Sequence, residues 1–376
     1  MMKKPKQRTV LISISIVVAL FLGSLTWSIG SVLSAPGTDT VAARLAEWSR
    51  DHGLGFVVTA AENVQYWLNP PKIGGKPTST ELKDLQAQRA TPQSTQTAQP
   101  QIAVHDPLQS LVTPKLDGEG DFKTVVTVRN QPAIQVAYLR PDDKHTSYLA
   151  GIAWMSGSLL EFVQHPGFSD PGHMELWSQP AMIPTSQRNG LVASFNGGFK
   201  VKNSRGGFYA DGHTAGSLVK GAASLVVYTD GHSDVISWPG TKPGADIVSV
   251  RQNLSLLINK GEIAPNLDKN VLANWGWTVK NAYFVWRTGI GITASGDFVF
   301  VAGNALSIQS LANLLQRAGA LRAMELDINA EWISYMWYTP GATAQAPVPN
   351  KLLDFARPAD RYFKPTSRDF FAVYAK

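Results

Sequence analysis

The sequence predicts an α+β protein that is β-rich, built on mainly antiparallel or mixed sheet with few helices, and preceded by an N-terminal transmembrane helix. Three observations predict it. From residue 115 onward short alternating runs recur (TVVTV, AIQVAYL, YLAGIAWM, LVASF, SLVVY, DIVSV, YFVWR), punctuated by Gly, Asp and Pro as strands are. Only one stretch in that region has both a helical period and helix caps. Residues 10–33 carry no charge.

That uncharged stretch rises ~1.5 Å per residue as a helix, enough to cross a hydrocarbon core of ~30 Å. Lys3, Lys4, Lys6 and Arg8 precede it. The positive-inside rule therefore leaves residues 1–9 as a basic cytoplasmic tail and places the main domain outside the cell membrane. A cleavable signal peptide ending near Ala35 is the alternative and would make the protein secreted. It fits less well, because the apolar stretch is long for a signal and Leu33 is a poor small residue before a cleavage site. Both routes export the body.

Residues 34–69 read as a juxtamembrane helical segment. Thr40 suits an N-cap, and Val41, Leu45 and Trp48 follow at helical spacing. Gly53 and Gly55 interrupt, and VVTAAENVQYWL resumes a helix until Pro70 and Pro71 stop it. Trp48, Tyr66 and Trp67 suit either a membrane interface or packing on the main domain. Residues 70–113 are rich in Gln, Thr, Pro and Gly and read as a flexible linker. Residues 114–376 form the main domain. In it, TDG at 229–231 and ASG at 294–296 mark hairpins. A helix starts at Ser307, places Ile308, Leu311, Ala312, Leu315 and Ala318 on one face, and stops at Gly319.

Composition removes several function classes. With no Cys there are no disulfides, thiol nucleophiles or thiolate metal sites. The net charge of +6 owes four charges to the N-terminal tail, and no basic cluster follows, so nucleic acid is not an expected partner. The 7 His residues are scattered without metal-ligand spacing, so no cofactor is expected. The acidic strand described next is at most a weak site for a divalent cation.

Three stretches could carry chemistry. Along 323–329, strand alternation puts Met324, Leu326 and Ile328 on one face and Glu325, Asp327 and Asn329 on the other. Cα atoms two residues apart on a strand lie ~7 Å from each other. Such a pair of carboxylates serves glycoside cleavage or simply forms a solvated edge. Along 194–211, Asn196 precedes Gly197 and Gly198, which let backbone approach a ligand or make a plain turn. Asp211 follows in a second turn. Arg287 ends an apolar strand, its planar fork facing a phosphate in a pocket or solvent.

Taken in order, NGGF at 196–199, DG at 211–212, RTGIGIT at 287–293, the helix at 307–318 and MELDIN at 324–329 resemble the successive motifs of the phosphodiester glycosidase family, over roughly residues 115–376. Asn196, Gly198 and Phe199 match its Asn-x-Gly-Phe turn, Arg287 its Arg-x-x-x-Gly strand, and Asp327 the Asp of its Asn-Leu-Asp-Gly-Gly-Gly-Ser loop. Glu325 stands where the family usually has Asn, and Ile328, Asn329 and Ala330 replace the three glycines. The resemblance implies hydrolysis of a sugar-1-phosphodiester at the anomeric carbon of a surface or exported glycan. It implies Asp327 and Arg287 as catalytic residues, with Glu325, a departure from the motif, read as the partner carboxylate of Asp327, and Asn196, Gly197, Gly198, Asn329 and Asp211 are expected to bind substrate. A non-catalytic glycan-binding or scaffold protein of the cell envelope, or a phosphodiesterase cutting P–O bonds, are the competing readings.

Overall fold

The computed structural model describes residues 5–78, 82, 85, 104–265, 267, 275 and 284–376. Three helices open the chain: α1 (Pro5–Leu33), α2 (Val41–Asp51) and α3 (Gly55–Leu68). The strands begin with β1 (Lys123–Val128), β2 (Gln131–Leu139), β3 (Ala150–Met155), β4 (Leu160–His165) and β5 (Leu191–Asn196). Next come β6 (Phe208–Ala210), β7 (His213–Ala215), β8 (Ala223–Tyr228), β9 (Ser233–Ser237), β10 (Ile247–Gln252), β11 (Leu256–Asn259) and β12 (Glu262–Ile263). After β13 (Val285–Thr293) and β14 (Phe298–Leu306) comes helix α4 (Ile308–Arg317), and the chain ends with β15 (Ala320–Glu325), β16 (Tyr335–Thr339), β17 (Val348–Lys351) and β18 (Phe370–Ala375).

The strands form three sheets: β1-β2-β3-β14-β13-β15-β11-β12, β7-β6-β10-β8-β9 and β17-β16-β5-β18-β4. Every ladder pairing β13 with its neighbours is antiparallel, as is the β5–β18 ladder at the middle of the third sheet. The α+β, β-rich class holds. Both hairpin signals sit where the sequence places them: Gly231 at φ +82° joins β8 to β9, and Gly296 at φ +83° joins β13 to β14. The interior lies between the first and third sheets, where Phe162, Phe195, Phe300, Tyr335 and Phe371 pack with Ile290 and Ile292. Tyr338 packs in a smaller cluster with Tyr362 and Phe370.

α4 begins as its sequence indicates, with a reciprocal capping box between Ser307 and Ser310, and Gly319 takes φ +94° after its end. Its apolar face, Leu311 and Leu315, packs against Val299 and Val301. The TGIGIT alternation of β13 makes this possible. Ile290 and Ile292 face the main interior, and Gly289 and Gly291 leave room for the helix side. A Cβ at Gly291 would come within 2.6 Å of Ala320 Cβ, and one at Gly289 within 3.0 Å of Leu315 Cδ1.

At the N-terminus, Ile12–Leu33 of α1 is apolar and unburied along its length. Trp48 of α2 is buried and its indole N–H donates to Ser28 Oγ of α1 at 2.9 Å, so it packs within the protein. The stretch read as a linker lies partly outside the described residues. Its described parts dock on the domain: Gly74 N–H donates to Lys144 O at 2.7 Å, and Leu85 is fully buried in the core.

Gly291→Ala forces Ala320 and its neighbours to move, and should cost about 1–3 kcal/mol of stability by urea unfolding, with the fold retained by far-UV circular dichroism.

Candidate active site

β15 ends at Glu325, and the chain crosses out of the sheet at Asp327 under the control of Thr288 on β13. Thr288 N–H donates to Asp327 O at 2.9 Å, Leu326 N–H donates to Thr288 O at 2.8 Å, and Asp327 N–H donates to Thr288 Oγ1 at 3.1 Å. Asn196, at the end of β5, donates from Nδ2 to the same Oγ1 at 3.1 Å and accepts from Ser334 N–H at 3.0 Å. The Asp327 carboxylate then turns back on its own loop, Oδ1 accepting from Ile328 N–H at 2.7 Å and Asn329 N–H at 3.1 Å. Its Oδ2 lies 3.5 Å from Arg368 Nη2.

Asp327 lines a cavity of about 560 Å³ with Lys200, Lys202, Asn329, Trp332 and Arg368. Burial raises its pKa to about 6, with the charge of Glu47 adding, against the lowering pull of Arg368 and the two amides. Arg368 is buried at the foot of β18, near Asp170 at 3.8 Å, and its guanidinium sits over the Trp332 ring at 5.4 Å. Burial alone would lower its pKa, but the carboxylates of Asp327, Asp170, Glu47 and Asp369 reverse the sign and raise it. Lys200, also buried, meets Glu47 of α2 directly and Asp51 at 3.2 Å; Lys202 meets Asp51 at 2.5 Å. The cations of this cavity are thus faced by two carboxylates from α2.

A second cavity, about 430 Å³, adjoins across Ile328 and Asn329. Tyr66, Tyr148, Phe284 and Trp286 give it aromatic walls, with Asn69, Asn304 and Asn329 among its polar groups. Its apolar faces and amides suit a sugar ring or an apolar chain. Arg50 borders both cavities, so the helix pair α2–α3 forms one wall of each.

The residues named from the sequence separate into two groups. Asp327 and Asn329 line the cavities; Glu325 and Arg287 line neither. The strand ends before Asp327, so Glu325 and Asp327 do not share the acidic face that simple alternation implies. Glu325 points into the interior and pairs with Arg287, Nη1 to Oε1 at 2.6 Å, both fully buried. Arg287 therefore faces neither solvent nor either cavity, and its Nε donates to Leu306 O at 3.0 Å. Burial raises Glu325 to about 7 against the pull of Arg287. Arg287 Nη2 and Glu325 Oε2 have no hydrogen-bond partner among the described residues.

Gly197 and Gly198 serve close approach to protein. A Cβ on Gly197 would fall 2.1 Å from Asp369 Oδ2, and one on Gly198 3.0 Å from the Asn253 amide carbon. Gly197 N–H is already donated to Asp369 O at 3.0 Å. Asp211 is exposed and accepts from Ser178 N–H and Oγ–H, both at 2.8 Å, away from the two cavities. Asn196 positions the Asp327 loop from behind. Sequence reading missed Lys200, Arg368 and Glu47. The signals were faint: a Lys directly after NGGF, and an Arg-Asp pair directly before the apolar run FFAVYA.

Against known proteins, residues 189–352 match the family model described as phosphodiester glycosidase, the family whose motifs the sequence resembles. The matched segment contains Asn196, Lys200, Arg287, Glu325 and Asp327, and it supports a glycosidase-type function. No curated protein matches. Among solved structures the chain is similar to the catalytic domain of zebrafish N-acetylglucosamine-1-phosphodiester alpha-N-acetylglucosaminidase auto-inhibited by its pro-peptide. The identity there is 13%, the TM-score 0.43, and the match covers 68% of this chain and 88% of that one. It is also similar to a hypothetical protein from Synechocystis, with 11% identity, a TM-score of 0.37, and 68% and 64% of the two chains covered.

The proton affinity of Asp327 carries a stability consequence. Its carboxyl has a pKa near 3.8 when unfolded and about 6 when folded, so ionisation weakens the fold as pH rises from about 4 through about 6, then levels off. The ionised group costs at most about 3 kcal/mol. Asp327→Asn should therefore raise Tm at pH 8 and leave it nearly unchanged at pH 3.5, as followed by differential scanning calorimetry.

Proposed function

We propose that the protein is a membrane-anchored, exported hydrolase that cleaves a sugar-1-phosphodiester of a surface or exported glycan at the anomeric carbon. The observation that carries this reading is a buried carboxylate of raised proton affinity, Asp327, beside two buried cations, Lys200 and Arg368, in one cavity. A basic tail, the apolar helix α1 and the absence of any later basic cluster support the anchor and the outer location.

In the proposed step Asp327 takes a proton from water as the water oxygen bonds to the anomeric carbon. The C–O bond to phosphate breaks, and its electron pair leaves with the phosphomonoester. A phosphate oxygen departs readily, so one carboxylate suffices without a strong acid at the leaving oxygen. Lys200 and Arg368 meet the negative charge that collects on the phosphate, the role assigned to Arg287 on the resemblance. Arg287 and Glu325 act from beneath, holding β13 and β15 in register behind the Asp327 loop. The step uses only side chains of this chain.

Turnover in ¹⁸O-water tests the reading. Label in the released sugar supports it; label in the phosphate assigns the chain to P–O cleavage, and binding without product leaves a glycan-binding protein. Asp327→Asn should lower kcat by at least about a thousandfold, with KM little changed. Because Asp327 acts ionised, kcat/KM should rise with pH to a plateau above about 6. Glu47 competes with the substrate phosphate for Lys200 and Arg368. Glu47→Gln should lower KM roughly tenfold, measured by initial rates at low salt.

A further inference from the structure

The juxtamembrane helices do more than connect. Arg44 of α2 donates to Leu33 O at 2.9 Å and Val32 O at 3.2 Å, capping the end of α1. Trp48 and His52 both reach back to Ser28 Oγ, at 2.9 and 3.5 Å. Ser28 lies five residues before the end of α1, ~7.5 Å along its axis. The turn from α2 into α3 is thereby drawn level with the apolar part of α1 and down into the depth of a bilayer's headgroup region.

The side chains at that turn and along α3 match this depth. Leu54, Phe56, Val57, Val64, Trp67 and Leu68 are exposed, Phe56 and Trp67 each at 71%. Phe56, Val64 and Trp67 recur at intervals of eight and three residues, which keeps them on one side of the helix. The opposite side carries Glu62, Tyr66 and Asn69 into the aromatic cavity, and Gly55 and Thr59 into the cavity of Asp327. One helix thus has an apolar face continuous with a membrane-crossing helix and a second face forming the wall of both cavities.

The geometry points to a substrate that arrives from the bilayer: a glycosyl phospholipid, in which the phosphate joins the anomeric carbon of a sugar to a lipid alcohol. This rests on the phosphodiester glycosidase reading and names the aglycone. α3 lies in the outer interface with Phe56 and Trp67 among the acyl chains. The lipid stays in the membrane, its proximal carbons and the sugar phosphate rise past α3, and hydrolysis frees the sugar to water while the lipid phosphate remains in the bilayer.

The test uses the full chain reconstituted in vesicles of phosphatidylcholine and phosphatidylglycerol. Two substrates share one sugar-1-phosphate, one esterified to a long-chain lipid alcohol in the vesicle and one to a short water-soluble alcohol. The lipid substrate should give the higher kcat/KM, by about tenfold or more, and Phe56→Asp with Trp67→Asp should remove that advantage while leaving the soluble substrate unchanged. Equal rates on both substrates, or an advantage that survives the double substitution, would overturn the lipid assignment alone. No sugar released from either substrate would remove the glycosidase reading on which it rests.

A second measurement is independent of turnover. The chain has no Cys, so Phe56→Cys can be labelled uniquely with an environment-sensitive fluorophore, with Val248→Cys as the water-exposed control. A blue-shifted emission quenched by brominated lipids at position 56 only is the expected result. A water-like spectrum at both positions would overturn the interfacial placement.

Discussion

Around the ends of β10, β13, β15 and β18 the molecule buries carboxylates and sets an arginine beside each. Arg251 holds Asp369 at 2.7 Å, Arg287 holds Glu325 at 2.6 Å, and Arg368 stands 3.5 Å from Asp327. Removing charge from water is expensive, and a buried pair repays the cost only when geometry and extra hydrogen bonds are good. The first two pairs are close and fully buried, and Arg251 adds hydrogen bonds to Gln252 O and Phe199 O, whereas Arg287 Nη2 and Glu325 Oε2 have no partner among the described residues. The third is longer and opens to a cavity, while burial raises the proton affinity of all three carboxylates. Of the three carboxylates, only that of the loose pair, Asp327, lines a cavity.

The same region also explains why short-range turns matter so much. Gly197 lies against the Asp369 carboxylate and Gly198 against Asn253, whose Nδ2 donates to Glu325 O at 2.8 Å and Leu326 O at 2.9 Å. Any side chain at Gly197 would push β5 off β18 and release Asn196 from Thr288. The position of Asp327 therefore depends on two glycines that line neither cavity. They enable close packing of protein on protein, and the chemistry inherits the result.

The fold was largely legible in the sequence because its local signals agree with its tertiary ones. Alternation marked the strands, TDG and ASG marked hairpins that need positive φ, and Ser307 and Gly319 bounded α4. The site was legible only in part. Asp327 and Asn329 stood out as part of an acidic strand face, but the alternation was carried through Asn329 and put Glu325 on the same face. Strand period says which side a residue takes only while the strand lasts, and β15 stops at Glu325. Lys200, Arg368 and Glu47 were invisible because they come from three distant parts of the chain and have meaning only as neighbours. Residue type left Trp48 open between a membrane interface and packing, and its burial and hydrogen bond to Ser28 place it inside the protein.

The substitution of glycines after Asp327 need not cost the loop its geometry. What holds the carboxylate are the backbone N–H groups of Ile328 and Asn329, and any L residue can present those. Neither residue, nor Ala330, takes a positive φ, so glycine's conformational freedom is not required here. The side chains that replace glycine instead occupy space: Ile328 and Asn329 form the partition between the cationic cavity and the aromatic one. Both side chains line both spaces. The departure from the family motif thus acts on the shape of the two cavities, with the Asp327 carboxylate held by two backbone amides.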